Sequence, residues 1–309
     1  MKTCAKATLV GLTAPLCWGM SVGVIRTIVE QFKLSAGLAI LYGAIVLLLC
    51  PIMGFPKLKK FPLKYLLFGI PFANMCSVFF GISMFLCQSE RQTVEVGMVN
   101  YMWPCLVILF SIPVNAQKAR WWVVPGAVIS LAGIMIVLGG DRGVNLAEIA
   151  RNVGQNPASY ILAFLGAVSW GIFANLTRKY ANGNDPTIII FFVDFVIFAL
   201  LWAGGMSGGI ANADVFGWAS VVLGAFVFGG AYVAWNYGIS RGNMTLLAIA
   251  SYFTPVLSCL FAAAWLGAPL GKNLLLGVAV LVGGSIMTWS ATHFPNKPRP
   301  FHAYRSRHT

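Results

Sequence analysis

Ten apolar stretches, each about 20 residues long and nearly free of charge, constrain this chain more than any other feature of its sequence. A helix rises 1.5 Å per residue, so that about 20 apolar residues cross the roughly 30 Å of hydrocarbon in a bilayer. With 59% hydrophobic and only 9% charged residues, the chain has more apolar surface than one soluble core can bury. We therefore predict an all-α integral membrane protein with ten transmembrane helices, numbered as spans 1 to 10, at about 8–28, 35–53, 65–87, 94–114, 121–139, 158–178, 187–204, 216–238, 246–266 and 273–291.

The basic residues sort by side of the membrane. The two termini and alternate connections carry fifteen of the 21 lysines and arginines, and the other side carries six, namely Arg26, Lys33, Arg91, Arg142, Arg151 and Lys272. Because positively charged segments stay in the cytoplasm, we predict that both termini are cytoplasmic. The net charge of +13 then reflects membrane topology, and we expect no nucleic acid partner.

The two halves of the chain resemble each other at a nearly fixed offset. Spans 1 and 6 match at an offset of 152 residues and later spans match at 151, as in the pairs Trp18 and Trp170, Tyr101 and Tyr252, Pro104 and Pro255, Gly126 and Gly277, and Gly133 and Gly284. Five spans per half is an odd number, so the second half enters the membrane from the opposite side. We predict two inverted five-helix repeats at 7–140 and 158–291, a polar linker at 141–157 and a basic cytoplasmic tail at 292–309.

A proline interrupts the fourth span of each repeat near the middle of the membrane. The stretch Asn100-Tyr101-Met102-Trp103-Pro104 has its counterpart in Ser251-Tyr252-Phe253-Thr254-Pro255. Because proline has no N–H, a proline inside a helix leaves the carbonyl of Asn100 or Ser251 without its bond. A bilayer tolerates such groups where protein or a water-filled cavity satisfies them. We predict that the two stretches form the halves of one midplane substrate site, and plain proline kinks are the alternative.

Other polar and aromatic side chains recur at helical spacing within the spans. Indole and phenol rings suit flat apolar or cationic ligands, through stacking and cation–π attraction. Small and polar residues on one helix face also allow close helix packing, which is the alternative. We predict that the pocket includes Trp18, Asn74, Ser77, Trp170, Tyr232 and Trp235.

Asp194 is the one acidic residue that lies deep in an apolar span. A charge there is costly unless it is paired, protonated or in contact with water, so Asp194 is a candidate for proton coupling, with a hydrogen bond to a neighbouring helix as the alternative. The seven cysteines lack metal-ligand and redox-motif spacing, and the three histidines lie at or beyond the end of span 10. We expect neither a metal nor a cofactor. The parts of a nucleotide-binding fold are missing as well, which argues against an enzyme.

With a Trp-Gly pair opening each half (Trp18 and Trp170) and a proline-broken fourth span in each, residues 7–291 resemble the EamA-like branch of the drug/metabolite transporter superfamily. Within that branch, the stretch from Asn100 to Pro104 is similar to an Asn-Tyr-Leu-Trp-Pro signature of aromatic amino acid exporters. The resemblance implies export of aromatic and other neutral amino acids across a bacterial inner membrane, and efflux of flat organic cations, through a cavity between spans 1, 3, 4, 6, 8 and 9. It assigns Tyr101, Trp103, Pro104 and Trp170 to that cavity. Met102 and the lack of a histidine in span 3 depart from the pattern, which leaves substrate preference and proton handling open.

These observations favour transport by alternating access, in which the two repeats rock about a shared central site. The expected partners are a small-molecule substrate (an amino acid or an aromatic organic cation) and the lipid bilayer, and we expect a monomer. Metabolite or multidrug efflux without amino acid preference, a passive channel, and a lipid-handling enzyme or scaffold are the alternatives. Without a histidine or an acid pair in the membrane core, facilitated export down the solute gradient is favoured. The test is whether a pH gradient alone drives accumulation of the solute in wild type and in Asp194→Asn.

Overall fold

The computed structural model describes residues 2–55, 57–138, 146–182, 184–206, 213–241, 247, 250–267 and 269–291. All regular structure in this part of the chain is helical; the predicted tail at 292–309 lies outside it. The described part of the linker forms a helix, α8. The helices are α1 Lys2–Gly19, α2 Ser21–Phe32, α3 Leu34–Met53, α4 Ile70–Leu86, α5 Glu90–Asn100, α6 Trp103–Asn115, α7 Val123–Leu138, α8 Leu146–Gln155, α9 Pro157–Tyr180, α10 Thr187–Ala203, α11 Val215–Gly224, α12 Ala231–Arg241, α13 Thr254–Leu266 and α14 Lys272–Ser290.

Six helical segments are long and apolar enough to cross a membrane, and α1 with α2 makes a seventh if this pair, bent by 47°, counts as one span. Two of the six contain a π-helical turn, Tyr65–Gly69 before α4 and Ala225–Gly230 between α11 and α12. The other three predicted spans correspond to shorter apolar helices, α7, α10 and α13. The six segments are Leu34–Met53, Tyr65–Leu86, Glu90–Asn115, Pro157–Tyr180, Val215–Trp235 and Lys272–Ser290.

Each predicted midplane proline begins a new helix. Helix α5 ends at Asn100, a turn follows, and α6 begins at Trp103 with Pro104 in its first turn. Pro255 occupies the same position in α13. A proline costs little there, because the N–H that it lacks has no partner within the helix in the first turn. The break that the sequence predicts in the fourth span of each repeat is therefore present, and each proline lies at the start of the helix that follows the break.

Glycines let α7 and α14 cross with their backbones in close approach. A Cβ added to Gly126 would lie 2.7 Å from the backbone nitrogen of Thr288, and one added to Gly284 would lie 2.7 Å from the carbonyl oxygen of Gly126. The second crossing point pairs Gly133 with Gly277, where an added Cβ on either residue would lie 2.6 Å from the carbonyl oxygen of the other. Small residues at such crossings are the usual basis of tight helix packing in membranes.

The first span of each half packs against the other half. Helix α9 lies against α4 and α6, and α1 lies against α12 and α13. A Cβ added to Gly171 in α9 would lie 3.2 Å from the Cβ of Leu106 in α6, and one added to Gly19 in α1 would lie 2.8 Å from the Cβ of Leu257 in α13. Span 1 therefore packs with helices of the second half, and span 6 packs with helices of the first half.

Side-chain hydrogen bonds fix α9 to its neighbours near both of its ends. The Tyr160 hydroxyl donates to Oε2 of Glu95 at 2.7 Å, near the start of α9. Near the other end, the hydroxyls of Tyr65 and Thr177 lie 2.8 Å apart. Because both ends are bonded, α9 forms one packed unit with the helices of spans 3 and 4.

Candidate functional site

A cavity of about 110 Å³ lies between helices from both halves. It is several times larger than the space that one water molecule needs. Its wall is largely aromatic, with a few hydroxyl, thiol and amide groups. The lining residues are Trp18, Ser21, Ile25, Tyr42, Cys76, Ser77, Phe80, Asn100, Tyr101, Trp103, Trp170, Phe228 and Tyr232.

Tyr232 lies between the two repeat-related tryptophans of this cavity. Its ring centroid is 5.6 Å from that of Trp18 and 5.9 Å from that of Trp170, and both pairs meet edge to face. Trp103 continues the series, 6.1 Å from Trp170. Edge-to-face pairs at these separations are a favourable aromatic geometry. The cavity therefore presents ring faces and edges from α1, α6, α9 and α12 to any molecule inside it.

The polar groups of the cavity are partly used by the protein itself. The Asn100 amide nitrogen donates to the carbonyl of Ala163 at 3.1 Å, which leaves its side-chain oxygen as an acceptor. The Tyr101 hydroxyl donates to the carbonyl of Trp18 at 3.1 Å. The indole N–H of Trp18 is buried and has no hydrogen-bond partner among the described protein atoms. The side-chain oxygen of Asn100 and the indole N–H of Trp18 thus remain as an acceptor and a donor beside the aromatic rings of the cavity.

The structure brings together seven of the predicted site residues and leaves the others outside the cavity wall. Those in the wall are Trp18, Ser77, Asn100, Tyr101, Trp103, Trp170 and Tyr232. Trp235 packs behind Trp18 with ring centroids 5.2 Å apart, and Pro104 is buried in the first turn of α6. Of the second-half stretch, the Ser251 hydroxyl donates to the carbonyl of Leu247 at 3.0 Å, while Tyr252 and Pro255 are buried in packing.

Asn74 and Asp194 form a buried pair beside the cavity. The Asn74 amide donates to Oδ1 of Asp194 at 2.7 Å and to the carbonyl of Ile190 at 3.0 Å. Asn74 thus joins α4 of the first half to α10 of the second. The hydrogen bond to a neighbouring helix, which was the alternative to proton coupling for Asp194, is present in the structure, and the residue is fully buried.

Tyr42 is the clearest member of the cavity that the sequence analysis missed. It is buried in the wall and stacks between Phe191 and Phe198, at 6.0 and 5.7 Å between ring centroids. A single tyrosine in the otherwise apolar α3 is a usable signal, because a lipid-facing helix has no need of its hydroxyl. Phe80, three residues after Ser77 on the same helix face, was recognisable by helical spacing.

In the described part of the chain, no group of three or more histidine, cysteine or acidic side chains is placed to hold a metal ion. The wall instead offers aromatic rings, the Asn100 oxygen and hydroxyl groups. Such a surface binds an organic molecule with an apolar ring and a small polar or cationic group.

Comparison with known proteins gives consistent matches over nearly the whole chain. The aromatic amino acid exporter YddG of Escherichia coli (strain K12) is 40% identical over 288 residues, covering 93% of this chain and 98% of that protein. The exporter of the same name from Salmonella typhimurium (strain 14028s / SGSC 2262) is 39% identical, covering 94% and 99%. A crystal structure of another protein, 26% identical, aligns with a TM-score of 0.63 over 93% of this chain and 98% of that one. The EamA-like transporter family matches residues 5–139 and again 157–290, and the chain therefore belongs to that family.

Proposed function

We propose that this protein exports aromatic and other neutral amino acids across the bacterial inner membrane, in which its apolar helices make it a multi-pass protein. The observation that carries the proposal is the cavity in which Tyr232 joins Trp18 and Trp170. Relatives 39% and 40% identical over more than nine-tenths of the chain are named aromatic amino acid exporters, which supports the same substrate class. They are named as transporters and not as enzymes, which agrees with the expectation from the sequence.

The proposed architecture is ten spans in two inverted repeats, with both termini in the cytoplasm. If two units are related by a two-fold axis and residue i of the first contacts residue j of the second, then residue j of the first also contacts residue i of the second. Gly126 approaches Gly284, and Gly133 approaches Gly277. Gly277 is the repeat equivalent of Gly126, and Gly284 is the repeat equivalent of Gly133, so these two contacts follow the two-fold relation. The two family matches, at 5–139 and 157–290, support repeats with nearly the predicted bounds.

The exchanged packing of spans 1 and 6 obeys the same relation. Gly19 meets Leu257, and Gly171 meets Leu106, at offsets of 152 and 151 residues. For alternating access we propose that the moving units are spans 3, 4 and 6 on one side and spans 8, 9 and 1 on the other. The hydrogen bonds near both ends of α9 support the first of these units. The cavity lies between the two units.

In the proposed complex, the substrate's side chain packs against Trp18, Trp170 and Tyr232, and its ammonium group approaches the free oxygen of Asn100. Cation–π attraction adds to that contact. Ser251, Tyr252 and Pro255 are the repeat equivalents of Asn100, Tyr101 and Pro104. We propose that this second set lines the substrate site when the protein opens to the other face of the membrane.

The test is counterflow of labelled phenylalanine in proteoliposomes, because exchange of internal unlabelled for external labelled substrate requires a carrier. We expect Trp103→Ala and Trp170→Ala to lose most of the counterflow, since each removes a wall of the cavity. Trp121→Ala is the matched control, because Trp121 is 77% exposed and is not part of the cavity wall. Unchanged counterflow in both cavity variants would show that the site is elsewhere.

Efflux of flat organic cations is a second candidate that the aromatic wall favours. Competition in the same assay separates the two, since a multidrug transporter would lose phenylalanine counterflow to planar cations but not to other amino acids. Flux without stimulation by internal substrate would indicate a passive channel. Lipid turnover without solute flux would indicate a lipid-handling enzyme. Separately, size-exclusion chromatography with light scattering tests whether the protein is a monomer, as we propose.

A further inference from the structure

The carboxyl group of Asp194 lies just behind the wall of the cavity and is only half satisfied. Oδ1 accepts a hydrogen bond from Asn74 at 2.7 Å, whereas the buried Oδ2 accepts none from the described protein atoms. The residue has 0% exposure. A carboxylate in these surroundings has lost its hydration without gaining equivalent partners, so that its charge is costly.

The ionisable groups that face Asp194 are all neutral in their ordinary state. They are Tyr42 of α3, Cys76 of α4 and Tyr232 of α12, and in the described part of the chain no basic side chain is among them. The remaining neighbours, Asn74 and Ser77, do not ionise. Without a cation, binding a proton is the available way to neutralise a buried carboxylate.

Two hydroxyl groups connect this carboxyl to the cavity. Ser77 lies near the carboxyl of Asp194 and also near the hydroxyl of Tyr42. Ser77 and Tyr42 both line the cavity. A proton from water in the cavity therefore needs to pass only one side chain to reach Asp194.

Asp194 is also central to the proposed symmetry. When the 152-residue offset of spans 1 and 6 is carried into spans 2 and 7, Asp194 corresponds to Tyr42. The next pair of equivalents touches, since a Cβ added to Gly43 would lie 3.1 Å from the ring of Phe195. Equivalent residues meet each other only near the axis that relates the halves. A group at this position stays central whichever face of the membrane the cavity opens to.

We propose that Asp194 is a proton-binding site that exchanges with the cavity through Ser77 and Tyr42, and that this proton is the coupling ion for export. The ionised carboxylate attracts the ammonium group of the substrate, and protonation to a neutral carboxyl cancels that attraction. Proton and substrate then occupy the transporter in turn. One O–H bond forms when the proton enters from the acidic side, and it breaks when the proton leaves on the other. This inference rests on the proposed function and departs from the facilitated export that the sequence favours.

Proteoliposomes containing the full chain, with labelled phenylalanine at equal concentration on both sides and an imposed pH gradient, test this coupling. We expect wild-type protein to accumulate phenylalanine on the acidic side, and Asp194→Asn to lose that accumulation. Asp214→Asn is the matched control, because this exposed acid caps α11 and asparagine also caps helices. A wild type that does not respond, an Asp194→Asn variant that responds like wild type, or accumulation driven only by a sodium gradient would each overturn the inference.

A second measurement uses wild-type protein alone and so does not depend on the folding of a variant. Phenylalanine added to purified protein in weakly buffered solution should release protons, as reported by a pH-indicator dye. Binding without proton release would overturn the inference. Absence of phenylalanine counterflow in wild type would instead refute the proposed function, so that the two failures are distinguishable.

Discussion

Two adjacent glycines in α14 allow a matched test of the tight crossing with α7. A Cβ added to Gly284 would lie 2.7 Å from both the carbonyl oxygen of Gly126 and Oγ of Ser130, whereas one added to Gly283 meets nothing within 4 Å. Real Cβ atoms do not approach that closely, so Gly284→Ala forces the helices apart. Overpacking of this kind costs about 1–3 kcal/mol.

Both variants gain the same helix propensity, about 0.5–1 kcal/mol for glycine to alanine, so that their difference isolates the clash. We expect Gly284→Ala to be less stable than Gly283→Ala by about 1–3 kcal/mol. Thermal unfolding of the purified proteins in one detergent and at one scan rate measures this difference. Equal unfolding temperatures would refute the close approach of α7 and α14, and with it one of the contact pairs that support the inverted repeat.

Three further predictions concern other parts of the structure. The buried Arg26 donates to the carbonyls of Met84 and Cys87 at 2.8 and 2.7 Å, so Arg26→Ala should lower the unfolding temperature clearly, whereas Arg178→Ala, at the exposed equivalent position, should change it little. Tyr160→Phe removes the 2.7 Å bond to Glu95 and leaves a buried acceptor, so it should destabilise the protein by about 1–3 kcal/mol; equal stability would show that α9 is not fixed there. The backbone N–H of Gly217 donates to the carboxylate of Asp214 and lowers its pKa, so this cap stabilises α11 at neutral pH, and the stabilisation is lost as the pH falls through the folded pKa. Asp214→Ala should therefore remove the acid sensitivity of hydrogen exchange in α11. An unchanged pH profile in this variant would contradict the cap.

Helical periodicity predicted much of the cavity, because its wall is built from polar and aromatic residues in otherwise apolar helices. Trp18, Ser77 and Trp170 stand out against their neighbours in the sequence for that reason. Tyr42 was missed, although a lone tyrosine in an apolar span is a signal, because a single residue does not form a polar stripe. Which face of α3 meets the cavity depends on its contacts with α10, and such contacts between distant spans are not written into the local pattern.

Repeat symmetry predicted equal roles for Asn100 and Ser251, yet only Asn100 lies in the cavity wall. The Ser251 hydroxyl instead donates to the carbonyl of Leu247, four residues earlier, at 3.0 Å. Equivalent residues in a duplicated chain share their neighbours only if both halves adopt the same packing. In this structure the two halves are packed differently, so equivalent residues have different surroundings. Sequence comparison alone does not reveal that difference.

A structure determined with phenylalanine bound tests the central claim, that the aromatic cavity is the transport site, most directly. We predict that the ligand's ring lies among Trp18, Trp170 and Tyr232, with its ammonium group within hydrogen-bonding distance of the side-chain oxygen of Asn100. Phenylalanine bound elsewhere, with this cavity occupied by protein side chains or lipid, would contradict it.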